Sequence, residues 1–489
     1  MTRQRITLAI LALGGQGGGV LADWILDLAK HQGWRGQGTS VPGVAQRTGS
    51  TVYYVEMLPE SVAADPVLAL MPVPGDVDVV IASELMEAGR AILRGFVTKD
   101  RTTLIGSTHR IFAVSEKSAM GDGRASSERI AAACEERARR FIGFDMDAVT
   151  EASGSVISSI MFGALAGSGT LPFPREAFED AIRASGIAVD SNLRGFEAGY
   201  QAAGAGKIVL PPVATSDVPV PTTEAGRALA HRVGTLPIAA HANALHGVAR
   251  LTDYQDAAYA HLYLDRLEPI AAFGDAELTA ETARHLALWM SYEDTVRVAD
   301  LKIRASRIDR VRKEVRAKDD QILGVTEFMH PRLREVCETL PAGIGRFVLN
   351  SPGLSKLLEP FFRAGRHVET TSLRWFLMLR LLAGMRRFRR SSLRFHEEQE
   401  RIEGWLAAIR QVAARDTVLA TEVARAQGLV KGYGDTFERG LANFATVMAA
   451  VDTVDAAGLA RLRAAALADD KGQKLAEELA ASGTQRAIA

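Results

Sequence analysis

The first supersecondary unit constrains the fold more than any other stretch: ITLAILAL, then GGQGGG, then a run of helical periodicity. The apolar run from Ile6 to Leu13 has the length of a buried strand. Gly14, Gly15, Gln16, Gly17, Gly18 and Gly19 interrupt it, after which Val20, Leu21, Trp24, Ile25, Leu28 and Ala29 recur at helical spacing, with Asp23, Asp27 and Lys30 on the other side. The pattern predicts strand, glycine turn and helix. Glycines permit positive φ and close backbone approach, and the unpaired N–H groups of a helix start favour an anion. The alternative is a tight turn that holds nothing. A dinucleotide fingerprint would need a glycine where Val20 stands, and no acidic residue for a ribose hydroxyl follows in QGTSVPGVAQRTG. These residues argue against an ordinary nicotinamide or flavin site.

The chain then alternates. TVYYVEM, VDVVIAS (Val77 to Ser83) and TTLIGS (Thr102 to Ser107) read as strands, and ELMEAGRAILRGF as a helix. TSVPGVAQRTG, Thr39 to Gly49, reads as a turn-rich loop, and EKSAMGDGRASSERIAAACEERARRF as a loop feeding a long helix. ASGSVISSIMFGALAGSG reads as an apolar helix whose small residues suit close packing against the sheet, and NLRGFEAGY lies in a later helix. Residues 1–206 are thus expected to form an α/β domain with a mostly parallel sheet and helices on both faces. The proline-rich stretch 207–223 reads as a linker. Over 224–489 Ala, Leu and Arg dominate and strand signals are almost absent, which predicts a mainly α-helical domain.

At 489 residues the chain has room for two or three domains, and Lys+Arg 58 against Asp+Glu 58 offers no argument for nucleic acid or a membrane surface. Cys134 and Cys337 are too few for an iron–sulfur cluster, which normally takes four thiolates, and each reads as a small core residue. The longest apolar run, LRWFLMLRLLAGM, is broken by Arg380. MTRQRITLAILALG has the basic start and apolar core of a signal peptide, but the glycine turn and helix continue it in register, so a soluble cytoplasmic protein is expected. Gly121–Gly123 opens like a thiamine diphosphate motif without the paired asparagines that close one, and reads as a loop before a helix capped near Ser126 and Ser127.

Individual residues carry two readings each. Arg47, on a glycine-flanked loop, is either a bidentate clamp for a carboxylate or an exposed loop arginine. His109, after a strand, is either a proton donor or structural. Lys431, Tyr433 and Asp435 sit on a glycine turn that is either a helix–helix corner or a loop reaching a partner. The arginines from Arg374 to Arg401 read first as a solvated, self-paired helix face, given Glu397, Glu398, Glu400 and Glu403, and second as a docking surface for an acidic partner.

Taken together, ALGGQGGGVLADWI, SVPGVAQRTGSTVYY, DVVIASELMEAGRAI, EKSAMGDG and ISSIMFGALAGSGTLPFP resemble the gamma-type domain of 2-oxoacid:ferredoxin oxidoreductases, in the variant found in indolepyruvate oxidoreductase beta subunits. SYEDTVRVADLKIR, LPAGIGRFVL and LVKGYGDTFERG look like the helical extension of such subunits. Arg47, Thr48 and Gly49 fall where the family places an Arg-Gly-Gly turn, although the order here is Arg-Thr-Gly. The resemblance implies oxidative decarboxylation of an aryl 2-oxoacid such as indolepyruvate to an acyl-CoA, with coenzyme A as co-substrate and ferredoxin as electron acceptor. Thiamine diphosphate, Mg and [4Fe-4S] clusters would belong to a catalytic alpha subunit, in a heterodimer or heterotetramer. This chain would bind no cofactor alone and would complete the active site through Gly14–Gly19, Ser40, Gln46, Arg47, Thr48 and Gly49, with support from Arg47 and His109. Two other readings stand beside it: a self-sufficient nucleotide-binding oxidoreductase that uses the glycine turn, and a non-catalytic scaffold.

Overall fold

The computed structural model describes residues 5–41, 50–63, 66–112, 116–117, 119, 121, 123–205, 217–315, 317–318, 320–330, 332–362, 364–432, 434–469 and 471–481. It divides into two compact units, Met1–Thr215 and Ser216–Ala489. Most of the stretch read as a linker lies outside the described residues.

The first unit is built on a six-stranded sheet of β1 (Ile6–Leu13), β2 (Trp34–Val41), β3 (Ser50–Pro59), β4 (Val79–Ala82), β5 (Thr103–Ser107) and β6 (Arg140–Phe144), in the order β2-β3-β1-β4-β5-β6. The pairs β1–β4, β4–β5 and β5–β6 are parallel, while β3 runs antiparallel to both of its neighbours. The sheet is therefore mostly parallel, as expected, but two strands were not foreseen. β2 occupies WRGQGTSV, which carries two glycines and little apolar character, and β6 occupies RFIGF, whose first residues had been assigned to the preceding helix.

Residues alternate between two cores. Leu8, Ile10, Val79 and Ile81 face α1 (Gly18–His31), while Ala9, Leu11, Val80 and Ala82 face Ala88 and Ala91 of α2 (Leu85–Leu93) and Cys134 of α3 (Ser127–Arg137). A strand buried on both faces reads as an unbroken apolar run, as β1 does. The Ser126 hydroxyl caps α3 by accepting from the Arg129 N–H at 3.2 Å.

After β6 come α4 (Met146–Ser153), α5 (Ile157–Ser168), α6 (Arg175–Ser185) and α7 (Val189–Gly204), with Phe162, Phe178 and Phe196 buried together beside Trp24. The small residues of α5 serve a helix rather than the sheet. A Cβ on Gly163 would overlap the Phe196 carbonyl oxygen of α7 and lie 2.9 Å from the Tyr200 nitrogen; one on Gly199 would overlap the Ile160 carbonyl. The glycines of NLRGFEAGY are the reciprocal half of this backbone-to-backbone crossing.

The second unit is helical around one core, in which Leu251, Tyr259, Tyr263, Leu267, Leu286, Trp289, Trp405 and Val423 are buried. A two-stranded antiparallel sheet, β7 (Thr326–Met329) with β8 (Arg366–Glu369), is an addition the sequence pattern did not signal. The SYEDT motif is structural here. The Asp294 carboxylate accepts from the Arg297 N–H at 2.6 Å, capping the helix Thr295–Ile303, and takes two hydrogen bonds from the buried Arg389 guanidinium, at 2.6 and 3.1 Å. Arg389 also donates to the Tyr254 carbonyl at 2.7 Å and lies over that tyrosine's ring at 4.1 Å, so its charge is matched. Among the described residues no single helix is long and apolar enough to cross a membrane.

Candidate functional site

Strand order fixes where a ligand would enter the first unit. The chain leaves β1 through α1 toward β2 and β3 on one flank, then returns to β4 on the other, and α1 and α2 cover opposite faces. The two crossovers diverge between β1 and β4, which makes the carboxyl end of that pair the crevice where open α/β sheets bind ligands. The opposite edge is closed by charge: Arg101 pairs with Asp76 and Asp78, Arg5 pairs with Asp76 and Glu56, and the Thr7 N–H donates to Asp78 at 2.9 Å.

The glycine turn sits at the carboxyl edge. Gly15 and Gly17 have φ of 86° and 69°, which explains why both are glycine. Gly18 serves packing, since a Cβ there would lie 2.5 Å from the Tyr53 ring and 2.8 Å from the Ala12 side chain. Gln16 folds back: its Oε1 accepts from the Leu13 N–H at 3.0 Å and from the Ser83 hydroxyl, which ties the turn to the end of β4. Among the described residues nothing lies within 4 Å of a Cβ placed on Gly14 or Gly15, and none caps the start of α1 with its side chain. The geometry therefore divides the motif into glycines that shape or pack the turn and an open face beside an uncapped helix start, where an anion is favoured.

Next to it, sequence reasoning passed over Glu84. Its buried carboxylate caps α2, accepting from the N–H groups of Glu87 at 2.7 Å, Met86 at 2.9 Å and Ile111 at 3.3 Å. Burial pushes its pKa up to about 7; the backbone donors oppose this and the neighbouring Glu87 carboxylate reinforces it. The only local signal was a glutamate at a cap position, directly after a buried strand, where Ser or Asp is commoner.

His109 follows β5. Its carbonyl accepts from the Leu85 N–H at 2.9 Å, its own N–H donates to the Ser107 hydroxyl at 3.2 Å, and its ring Nδ1 lies 3.8 Å from Asp147 Oδ2. The backbone thus belongs to the edge, while the ring is partly exposed. The adjacent Arg110 is buried against Glu116.

Ser40 is exposed on β2, opposite Tyr53 of β3. Gln46, Arg47, Thr48 and Gly49 lie outside the described residues, but their flanks are defined. Val41 pairs with Val52, and Ser50 with Leu13, so the chain enters and leaves this loop at the carboxyl edge that carries the glycine turn. Asp122 and Tyr433 also lie outside the described residues. Asp435 pairs with Arg332 at 2.7 Å, and burial lowers the Lys431 pKa.

Cys134 is fully buried in the first unit, where burial pushes its pKa up to about 12, and Cys337 is buried in the second. Two inert thiols in separate units do not fit a cluster that needs four thiolates. Among the described residues no group of His, Cys, Asp and Glu side chains fits a metal ion.

Comparison with known proteins divides the chain in the same place. Residues 7–202 match the family described as Pyruvate ferredoxin/flavodoxin oxidoreductase, and residues 240–450 match a family of unknown function, DUF6537. Indolepyruvate oxidoreductase subunit IorB of Pyrococcus horikoshii is 29% identical over 40% of this chain and 95% of that protein. The same-named subunit of Archaeoglobus fulgidus is 29% identical over 42% of this chain and 98% of its own length. A solved structure, pyruvate oxidoreductase subunit PORC of Thermotoga maritima, is 18% identical, covers 41% of this chain and 97% of that chain, and has a TM-score of 0.30. The two IorB relatives are thus covered almost end to end by about two fifths of this chain. Residues 7–202 are therefore similar to the pyruvate ferredoxin/flavodoxin oxidoreductase family, and the chain, over that share of its length, to the IorB subunits of indolepyruvate oxidoreductases.

Proposed function

We propose that the chain is the non-redox subunit of a thiamine-diphosphate-dependent oxidoreductase that converts an aryl 2-oxoacid such as indolepyruvate to an acyl-CoA and passes the electrons to ferredoxin. The observation that carries this reading is a coincidence of two things: residues 7–202 match the pyruvate ferredoxin/flavodoxin oxidoreductase family, and the glycine turn within them sits at the switch point of the sheet. The two cysteines do not fit an iron–sulfur cluster, so the reading assigns the clusters, thiamine diphosphate and Mg to the partner subunit, which supplies the decarboxylation and redox chemistry.

This chain's residues fit the complementary task. The uncapped start of α1 and the open face of Gly14 and Gly15 suit the carboxylate of a 2-oxoacid or a phosphate of coenzyme A, and a guanidinium such as Arg47 would pair with it through two hydrogen bonds. Gln16 and Ser83 hold the turn in place. A cytoplasmic heterodimer or heterotetramer follows from the same reading. The test is a substrate panel on the complex of this chain with a thiamine-binding, cysteine-rich partner, assayed with and without coenzyme A. Indolepyruvate and phenylpyruvate are expected to give the highest kcat/KM, with turnover dependent on coenzyme A. Preference for pyruvate or 2-oxoglutarate would overturn the aryl assignment.

A further inference from the structure

The basic concentration between Arg374 and Arg401 splits in two. From Arg389 onward its side chains are internally matched: Arg389 with Asp294, Arg390 with Asp256, Arg394 with Glu338 and Glu398, Arg401 with Glu397 and Glu398. Arg374, Arg380 and Arg387 are exposed, and among the described residues none pairs with a carboxylate; Arg374 and Arg387 lie only over the rings of Trp375 and Phe388.

The same segment exposes apolar surface. On the helix Leu373–Gly384, Leu373, Leu377 and Leu381 are 74%, 55% and 75% exposed, and Leu379 alone is buried. Spacing of four residues lines the leucines up in one stripe, with Arg380 on one flank and Arg374 on the other. Phe388 and Met378 are exposed as well. Single exposed leucines are ordinary, but a continuous stripe between unmatched cations has the anatomy of an interface: an apolar centre and a polar rim.

We infer that this stripe docks the partner subunit of the same oxidoreductase, on a surface where carboxylates surround an apolar centre. The inference rests on the functional reading above and extends it to the helical unit. Charge complementarity selects the occupant. Unmatched guanidiniums on both flanks of the stripe, Arg374 and Arg380, call for an acidic rim. A second copy of this chain, docked symmetrically, would bring like-charged rims together. Arg374 and Arg380 on the 12-residue helix, with Arg387 just beyond it, also fall short of the clusters of about four to eight basic residues that hold a segment to an anionic bilayer. The stripe lies in residues 240–450, which match a family of unknown function, so it would be an interface contributed by the helical unit.

The test uses the full chain and its thiamine-binding partner, with affinity measured across a salt series. Leu377→Asp/Leu381→Asp is expected to raise Kd at least about a hundredfold. Arg380→Glu/Arg387→Glu is expected to raise it about tenfold and to flatten its salt dependence. Both pairs are exposed, so the thermal midpoint of the lone chain stays unchanged in each variant. A wild-type complex indifferent to both variants would remove the docking surface alone, whereas no complex with the wild-type chain would remove the functional reading with it. Two further outcomes would reassign the stripe. One is wild-type dimerisation of the lone chain that Leu377→Asp/Leu381→Asp abolishes. The other is loss, in the arginine variant, of binding to vesicles of 70:30 phosphatidylcholine and phosphatidylglycerol while the complex is unaffected.

Discussion

Glu84 shows how far one residue's chemistry depends on what surrounds it. With burial pushing its pKa up to about 7, the folded state holds a proton that the unfolded chain releases near its ordinary value of 4.5. Below pH 4.5 both states are protonated and the group has no effect on stability. Between pH 4.5 and 7 the folded state binds more protons, so stability falls with rising pH, and above 7 it levels off at a loss of about 3 kcal/mol. Denaturant titrations of the wild type and Glu84→Gln across pH 4–8 are expected to show this slope in their difference; parallel curves would mean an ordinary pKa. Nothing in ASELMEAG announces this burial, because it arises from neighbours across the sheet edge. Arg47 is the opposite case, proposed from its place in the sequence. If it clamps a carboxylate or phosphate, Arg47→Ala removes a charged hydrogen bond of about 1.5–3 kcal/mol and lowers kcat/KM of the complex about ten- to a hundredfold, with assembly unchanged. Wild-type turnover would take Arg47 out of the site.

At the scale of elements, legibility followed periodicity. β1, β4 and β5 are buried on both faces and their apolar runs could be read directly, whereas β2 and β6 owe their strands to pairing with β3 and β5 rather than to their own composition. The glycine turn was legible as a turn, but its division of labour was not, because only the fold brings Tyr53 against Gly18. The same holds for the glycines between α5 and α7. Gly163→Ala is expected to cost about 1–3 kcal/mol or more by forcing two backbones apart, lowering the thermal midpoint by roughly 2–4 °C per kcal/mol. Among the described residues nothing lies within 4 Å of a Cβ on Gly204, so Gly204→Ala serves as the control, neutral or slightly stabilising. In the helical unit, Asp294→Ala would strand the buried Arg389 charge and is expected to destabilise by about 3–5 kcal/mol. A loss below about 1 kcal/mol in chemical denaturation would show that water reaches the guanidinium.

At the scale of the whole molecule, residues 7–202 of the α/β unit match an oxidoreductase family, and residues 240–450 of the helical unit match a family of unknown function. The first unit has a crevice at its sheet's switch point and, among the described residues, no group of side chains that fits a metal ion, while the second offers an unmatched basic and apolar face. On the proposed reading this chain works on a partner's chemistry. The direct test is to measure 2-oxoacid-dependent reduction of ferredoxin, or of a viologen dye, by the thiamine-binding partner before and after adding this chain. The chain alone is expected to be colourless and inactive, and the partner alone nearly so, with coenzyme-A-dependent turnover appearing only when the two are combined. Full turnover by the partner alone, or stoichiometric iron and visible absorbance in this chain alone, would contradict the proposed division of labour.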